Sequence, residues 1–223
     1  MLDFEGTESI VDENTWNDLE FDSIFAKIDR NISGIGQQYL YRLLHKYESD
    51  ENILKQRFGT VSYLKGNKEL REKIPFYSNP TFNDSDAISF QNLYHPLLQD
   101  AVPNTVESIM NSVLITGSNM SGKTTFIKTV GINFILSQSL FFSLSKETFS
   151  PKLIIKSAIR RNEDLEEGKS YFFVEIETLN NFIKLSEKKN KYLFLIDEIF
   201  RGTNTIERLA SSTAVLKYLD MNN

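Results

Sequence analysis

The chain has 223 residues, which is enough for one large domain or for one domain with a small appendage. It contains no cysteine and two histidines, so disulfides and thiolate metal sites are excluded and a histidine-rich metal centre is disfavoured. A formal net charge of -5 argues against a domain that holds nucleic acid by bulk electrostatic attraction.

The N-terminal segment, residues 1–22, is acidic and polar and lacks the basic start and apolar run of a secretory signal. The longest apolar stretch, residues 134–144, is interrupted by serine and glutamine and is too short to span a bilayer. The sequence therefore predicts a cytoplasmic protein without membrane contact. Its residues 1–14, rich in Asp, Glu, Ser and Asn, are predicted to be a disordered tail.

Residues 15–75 carry apolar side chains at helical spacing, interrupted by turn residues. Two helices are predicted before residue 48, a third begins at the N-cap sequence Ser-Asp-Glu of residues 49–51, and a short fourth covers residues 68–74. This pattern predicts a small all-helical region. Residues 76–87 contain Pro, Asn, Asp and Ser without periodicity and are predicted to be a linker.

Residues 88–223 are predicted to form a second domain of α/β class, with a mostly parallel sheet flanked by helices. The strand at residues 192–196 is apolar on both faces, which fits the centre of a parallel sheet. Strands are predicted at residues 88–93, 113–116, 153–155 and 192–196, and helices at residues 126–142, 171–185 and 206–219.

The segment at residues 117–124 matches the phosphate-binding pattern G-x-x-x-x-G-K-[ST], directly after the β-branched run at 113–116. Gly117 and Gly122 permit backbone angles that let successive N–H groups converge on phosphate oxygens. Lys123 would reach the β and γ phosphates, and the Thr124 hydroxyl would join the Mg²⁺ shell. The alternative is a glycine-rich turn before an ordinary helix. The predicted nucleotide-binding residues here are Gly117, Ser118, Asn119, Met120, Ser121, Gly122, Lys123, Thr124 and Thr125.

Two carboxylates, Asp197 and Glu198, follow the apolar strand at residues 192–196. In a phosphate-loop protein a second strand delivers an aspartate to the Mg²⁺ shell, and Asp197 occupies that position. Glu198 would then orient or deprotonate the attacking water, so Glu198 and Lys123 are the predicted catalytic residues. The alternative for the pair is a solvated strand terminus.

Two segments resemble the ATPase domain of the MutS DNA mismatch repair family. They are Thr-Gly-Ser-Asn-Met-Ser-Gly-Lys-Thr-Thr at residues 116–125 and Leu-Ile-Asp-Glu-Ile-Phe-Arg-Gly-Thr-Asn-Thr at residues 195–205. Residues 168–175, Gly-Lys-Ser-Tyr-Phe-Phe-Val-Glu, resemble the family's signature segment. The resemblance covers residues 88–219, and residues 19–74 resemble the start of the family's helical core domain more weakly. It implies a P-loop NTPase fold of the ABC-ATPase type.

The resemblance also implies ligands and partners. In the family, two ATPase domains sandwich the nucleotides, which implies ATP and Mg²⁺ as ligands and a homodimer formed through this domain. The position that matches the signature serine is Ser170, which would approach the ATP of the partner subunit, and Asn119 would contribute to the same composite site. From the residues alone, Ser170 is a helix N-cap. DNA is the partner expected from the resemblance.

Parts of the family pattern have no counterpart in this sequence. No segment resembles the mismatch-reading domain, the clamp helices have no room between residues 74 and 88, and the Thr-His switch and final strands are missing. We therefore expect a C-terminally truncated ATPase domain.

Three functional hypotheses follow. The first is a MutS-like protein with Mg²⁺-dependent ATP hydrolysis coupled to dimerisation in mismatch repair or related DNA maintenance. The second is a non-catalytic nucleotide-binding or dimerisation fragment without DNA recognition. The third is an ABC transporter or chromosome-organising ATPase, which is disfavoured because Gly-Lys-Ser-Tyr replaces a Leu-Ser-Gly-Gly signature.

Overall fold

The computed structural model describes residues 10–29, 34–48, 50–63, 78–109, 112–159, 171–200 and 204–222. Within these ranges, no helix combines the length and apolarity needed to cross a membrane. The helices are α1 (Glu13–Asp18), α2 (Phe21–Ile28), α3 (Gly34–His45), α4 (Glu51–Tyr63), α5 (Lys123–Leu140), α6 (Tyr171–Ser186) and α7 (Thr205–Asn222). The strands are β1 (Thr81–Phe82), β2 (Ile88–Leu93), β3 (Asn104–Ile109), β4 (Glu147–Ser150), β5 (Ile154–Ala158) and β6 (Tyr192–Ile196).

The N-terminal helices begin earlier than the sequence indicated. Asp12 caps α1 by accepting a hydrogen bond from the Thr15 backbone N–H at 2.9 Å, and Val11 is buried. The predicted disordered tail is therefore wrong for residues 10–14, while residues 1–9 lie outside the described ranges. Glu20, in the left-handed region at φ 54°, separates α1 from α2 where the sequence suggested one helix.

Strand pairing corrects the prediction of a mostly parallel sheet. Four strands form a mixed sheet in the order β1-β4-β2-β3, in which β2 pairs antiparallel with both β3 and β4. Only ten residues, 94–103, join β2 to β3, which is too short a connection for a parallel crossover. The parallel pair β5–β6 forms a separate two-stranded sheet among the described residues, with α6 in its long connection. The α/β class itself is confirmed.

Helix α5 lies at the centre of the molecule. Residues 131–139 of this helix are all buried, as expected for a helix with apolar residues on every face. Its core cluster includes side chains from α1 and α2 as well as from β2, β5 and β6. The N-terminal helices and the second half of the chain therefore share one hydrophobic core, and the domain boundary at residues 76–87 stays a prediction.

Two polar side chains inside α5 fix its register against the following segments. Asn133 Oδ1 accepts the Leu144 backbone N–H at 2.6 Å. Gln138 pairs with the backbone of Leu153 in both directions, at 2.9 Å and 2.8 Å. Both side chains are fully buried, so each needs these partners to offset the cost of leaving water. The pairing with Leu153 sets where β5 begins relative to α5.

The predicted strand at residues 113–116 is absent. Residues 112–118 pair with no strand in the described part of the chain, and the side chains of Val113 and Leu114 are 57% and 79% exposed. A β-branched run favours a strand only where a neighbouring strand accepts its backbone hydrogen bonds. The segment is held instead by the Ser112 backbone N–H, which donates to Asp220 Oδ1 at 3.3 Å.

Candidate functional site

The 117–124 loop turns sharply into α5. Met120 and Gly122 both have left-handed backbone angles, with φ 66° and φ 89°. The Ser121 backbone N–H donates to Ser118 O at 3.2 Å, which closes the turn. A Cβ atom at Gly117 would lie 2.8 Å from Ser121 Oγ, so a larger residue would require the Ser121 side chain to rotate away. Gly122 precedes α5 without a side-chain cap, which leaves the first N–H groups of the helix for another acceptor.

The Lys123 side chain folds back onto the 117–124 loop and bonds to its backbone. Its Nζ donates to Gly117 O at 2.9 Å and to Ser118 O at 2.8 Å. The loop is exposed, so the ammonium group lies at a backbone turn that solvent reaches. An anion that offers stronger acceptors than these carbonyls would compete for the same ammonium group.

Thr124 and Asp197 bring the start of α5 to the end of β6. Thr124 Oγ1 donates to Asp197 Oδ2 at 2.6 Å, across 73 positions of sequence. The Asp197 backbone N–H donates to Ala158 O at 3.1 Å, which ties the carboxylate to the end of β5. The result is a pair of hard oxygen donors next to the 117–124 loop.

Glu198 follows Asp197 in a tight turn. Glu198 and Phe200 have left-handed backbone angles of φ 53° and φ 56°, uncommon for residues other than glycine. Glu198 is exposed, whereas Phe200 is buried, and the Phe200 backbone N–H donates to Glu175 Oε1. The packing of Phe200 and its bond to α6 thus hold this turn.

The predicted site residues fall into three groups. Lys123, Thr124 and Asp197 lie together, and Glu198 adjoins Asp197. The loop residues Ser118, Asn119, Met120 and Ser121 are exposed, while Thr125 is half-buried. Ser170 lies outside the described residues. The described part of the chain has no group of three or more His, Cys, Asp or Glu side chains that could hold a metal ion by themselves.

Sequence reasoning missed two residues that support this site. Glu175 fixes the turn after Asp197 through Phe200, and Asp18 contacts the end of β5 from α1. Glu175 belongs to the segment that resembles the family signature, which was the one available signal for it. Nothing in the local sequence around Asp18 indicates its role, because its partners lie about 140 positions away.

Comparison of the sequence with known proteins assigns this chain to a family. Residues 113–223 match the family model of MutS domain V. The DNA mismatch repair protein MutS of Streptococcus mutans is 30% identical over 210 residues, which cover 90% of this chain and 23% of the relative. The chain belongs to the MutS family. The MutS protein of Pseudothermotoga lettingae is 32% identical over 152 residues, 64% of this chain and 18% of the relative.

The chain therefore spans less than a quarter of either MutS relative. The match to MutS domain V begins at Val113, immediately before the 117–124 loop, and includes Asp197 and Glu198. Every described residue of the candidate site thus lies within the part of the chain that the MutS model covers. This membership sets aside the ABC transporter and chromosome-organising classes.

Proposed function

We propose that this chain binds ATP and Mg²⁺ through the 117–125 segment and Asp197 and hydrolyses ATP, as the ATPase part of a MutS-family protein of mismatch repair or related DNA maintenance. The observation that carries this proposal is the hydrogen bond between Thr124 Oγ1 and Asp197 Oδ2. It joins the helix that follows a phosphate-loop pattern to the carboxylate that follows a buried strand, as a metal-nucleotide site requires.

The chemistry of the donors fits these ligands. Magnesium prefers hard oxygen ligands, takes one or two carboxylates from the protein and completes its shell with water and phosphate oxygens. Thr124 and Asp197 supply such oxygen ligands, one hydroxyl and one carboxylate, in direct hydrogen-bond contact. The loop offers a lysine ammonium group and an uncapped helix N-terminus for the phosphates.

The side chains divide the work as follows. When bound, Mg²⁺ would supply positive charge that offsets the negative charge of the phosphates. Lys123 would exchange its bonds to the loop carbonyls for bonds to phosphate oxygens. Asp197 and Thr124 would hold the metal. Glu198, exposed in the turn beside Asp197, would orient water and accept its proton. Catalysis would then depend on positioning and on charge stabilisation.

The proposed assembly is a homodimer through the ATPase domain. Met120, at the tip of the 117–124 loop, is fully exposed and therefore accessible to a second subunit. Ser170 and Asn119 would complete the composite site across that interface. Both relatives are named DNA mismatch repair proteins, so DNA is the proposed partner of the assembly. The net charge of -5 argues against this chain as the main DNA-binding surface.

Glu198→Gln is expected to spare ATP binding and to reduce hydrolysis by about 100-fold or more, because amide nitrogen and oxygen cannot replace a general base. The measurement is phosphate release, paired with sedimentation velocity in Mg²⁺-ATP. The variant should remain dimeric with ATP, whereas the wild-type dimer should decay as ATP is consumed. Glu207→Gln, at an exposed glutamate of α7, is the matched control and should behave like the wild-type chain. Equal rates in Glu198→Gln and wild type would contradict the assigned role.

A second candidate function is nucleotide binding and dimerisation without catalysis. The observation that favours it is the exposed segment 112–118, which pairs with no described strand although it leads into the loop. A site supported on only one side would bind nucleotide yet fail to hold Glu198 and the phosphates in a reactive arrangement. Saturable ATP binding without measurable turnover in the wild-type chain would favour this candidate over the ATPase.

A further inference from the structure

One corner of the N-terminal helices touches three elements of the candidate site. The corner is Asp18-Leu19-Glu20, between α1 and α2, and we call it the 18–20 corner. Asp18 contacts β5, whereas Leu19 and Glu20 both contact α5, and Leu19 lies beside Leu195 of β6 at the point where α5 approaches that strand.

Asp18 holds the end of β5. Its side chain is buried, and Oδ2 accepts hydrogen bonds from Ser157 Oγ and from the Ile159 backbone N–H, the latter at 3.0 Å. Ala158, the residue between these two donors, accepts the Asp197 backbone N–H at 3.1 Å. Asp18 therefore fixes residues 157–159, the segment whose Ala158 carbonyl accepts the backbone N–H of the candidate metal ligand Asp197.

Leu19 and Glu20 hold α5 at the same corner. A Cβ atom at Gly131 would lie 2.6 Å from Leu195 Cδ1 and 2.8 Å from Leu19 Cδ2, so α5 approaches β6 closely with the Leu19 side chain against both. The Glu20 carboxylate pairs with Lys128 Nζ at 2.8 Å, one turn along α5 from Thr124. The corner thus contacts both elements whose separation determines the Thr124–Asp197 distance.

We propose that the 18–20 corner is the positioning element that sets Mg²⁺ affinity at the Thr124–Asp197 pair and couples nucleotide binding to the N-terminal helices. The inference rests on the proposed function for its ligand, but the contacts themselves are present in the structure. Asp18 acts through Ser157–Ile159 and Asp197, so it is a positioning residue and touches no ligand. Coupling is reciprocal: if the position of α1 changes nucleotide affinity, then a nucleotide bound at Lys123 must also change the conformational equilibrium of α1.

The first test compares Asp18→Ala with Asp12→Ala in the full chain. Both variants lose a carboxylate that bonds to β5. Asp12 also caps α1, so its loss weakens this helix as well, but its bond to β5 is to Lys156, away from the end that carries Ala158. Asp18→Ala is expected to raise the Mg²⁺ concentration for half-maximal enhancement of ATP binding by about tenfold, the usual effect of losing a residue that orients a metal ligand. ATP affinity without Mg²⁺ should not change. Asp12→Ala should leave the Mg²⁺ midpoint unchanged.

A second readout requires no ligand. Hydrogen exchange of the Asp197 amide in the nucleotide-free chain should be faster in Asp18→Ala than in Asp12→Ala, because the acceptor at Ala158 is no longer fixed. If Asp18→Ala does not fold, Ser157→Ala removes a hydrogen-bond donor to Asp18 and should shift both readouts in the same direction. Equal exchange and equal Mg²⁺ midpoints in the position-18 and position-12 variants would overturn the inference.

The fluorescence of Trp16 can report the proposed coupling between the nucleotide and α1. Trp16 is the single tryptophan, lies buried in α1 two positions before Asp18, and stacks on His45 at 3.7 Å between ring centroids. Addition of Mg²⁺ and ADP should change its fluorescence in wild type, leave it unchanged in Lys123→Ala, and change it less in Asp18→Ala at saturating ligand. A wild-type chain that binds Mg²⁺-ADP with no change at Trp16 contradicts the coupling alone, whereas one that binds no Mg²⁺-nucleotide contradicts the proposed function.

Discussion

Replacing Lys123 by alanine is expected to reduce ATP affinity by about 100-fold or more. One ammonium group can meet oxygens of two phosphate groups, and hydrogen bonds from a charged donor are worth about 1.5–3 kcal/mol each. Among the residues that the structure describes, the Lys123 ammonium group bonds only to the loop carbonyls of Gly117 and Ser118, so its loss should cost little stability. Calorimetric titration of ATP in the presence of Mg²⁺ measures the effect, alongside a thermal unfolding curve.

Lys217→Ala is the matched control for this titration, because Lys217 is an exposed lysine of α7 outside the candidate site. It should bind ATP like the wild-type chain. Equal ATP affinities in wild type and in Lys123→Ala would contradict the phosphate-binding role assigned to the 117–124 loop.

The largest expected effect on stability is at Gly131. A Cβ atom there would already lie 2.6 Å from Leu195 and 2.8 Å from Leu19, and the position is fully enclosed by the core. Gly131→Val adds two further methyl groups, so we expect destabilisation of about 3 kcal/mol, the upper part of the usual range for overpacking. Urea denaturation should show a lower midpoint with an unchanged slope.

Two further variants separate packing from helix propensity. Ala214→Val places valine on an exposed position of α7, where no packing is disturbed. Its free energy of unfolding should therefore fall only by the difference in helix propensity, a few tenths of a kcal/mol to about 0.7 kcal/mol. Gly131→Ala should be far milder than Gly131→Val, because alanine recovers about 1 kcal/mol of helix propensity while the leucine methyl groups give way. A wild-type midpoint for Gly131→Val would mean that α5 and β6 are not in close contact at this point.

The sequence was informative where the structure depends on local pattern. Helix α6 and strand β6 lie where periodicity and the apolar run predicted them, and α5 begins at Lys123, directly after the glycine of the loop. The contact between Thr124 and Asp197 is also present in the structure. The roles of these residues toward nucleotide and metal stay predictions.

Features that depend on distant partners were not predictable from the sequence. Strand β4 has an ordinary polar sequence and becomes a strand because β1 and β2 pair with it. The opposite error occurred at residues 113–116, where intrinsic β preference had no neighbouring strand to satisfy it. The 18–20 corner was missed for the same reason, since its contacts with β5, β6 and α5 span more than 100 positions.

The central claim is that the 117–124 loop and Asp197 form a single Mg²⁺-nucleotide site. The most direct test is a double-mutant cycle on Mg²⁺-ATP affinity with Thr124→Val, Asp197→Asn and the double variant. If both side chains hold one ion, each single change should weaken binding by about tenfold or more, and the second change should add little once the first is made. Losses that simply add, or single variants that bind like wild type, would show that the two residues do not act on a common ligand.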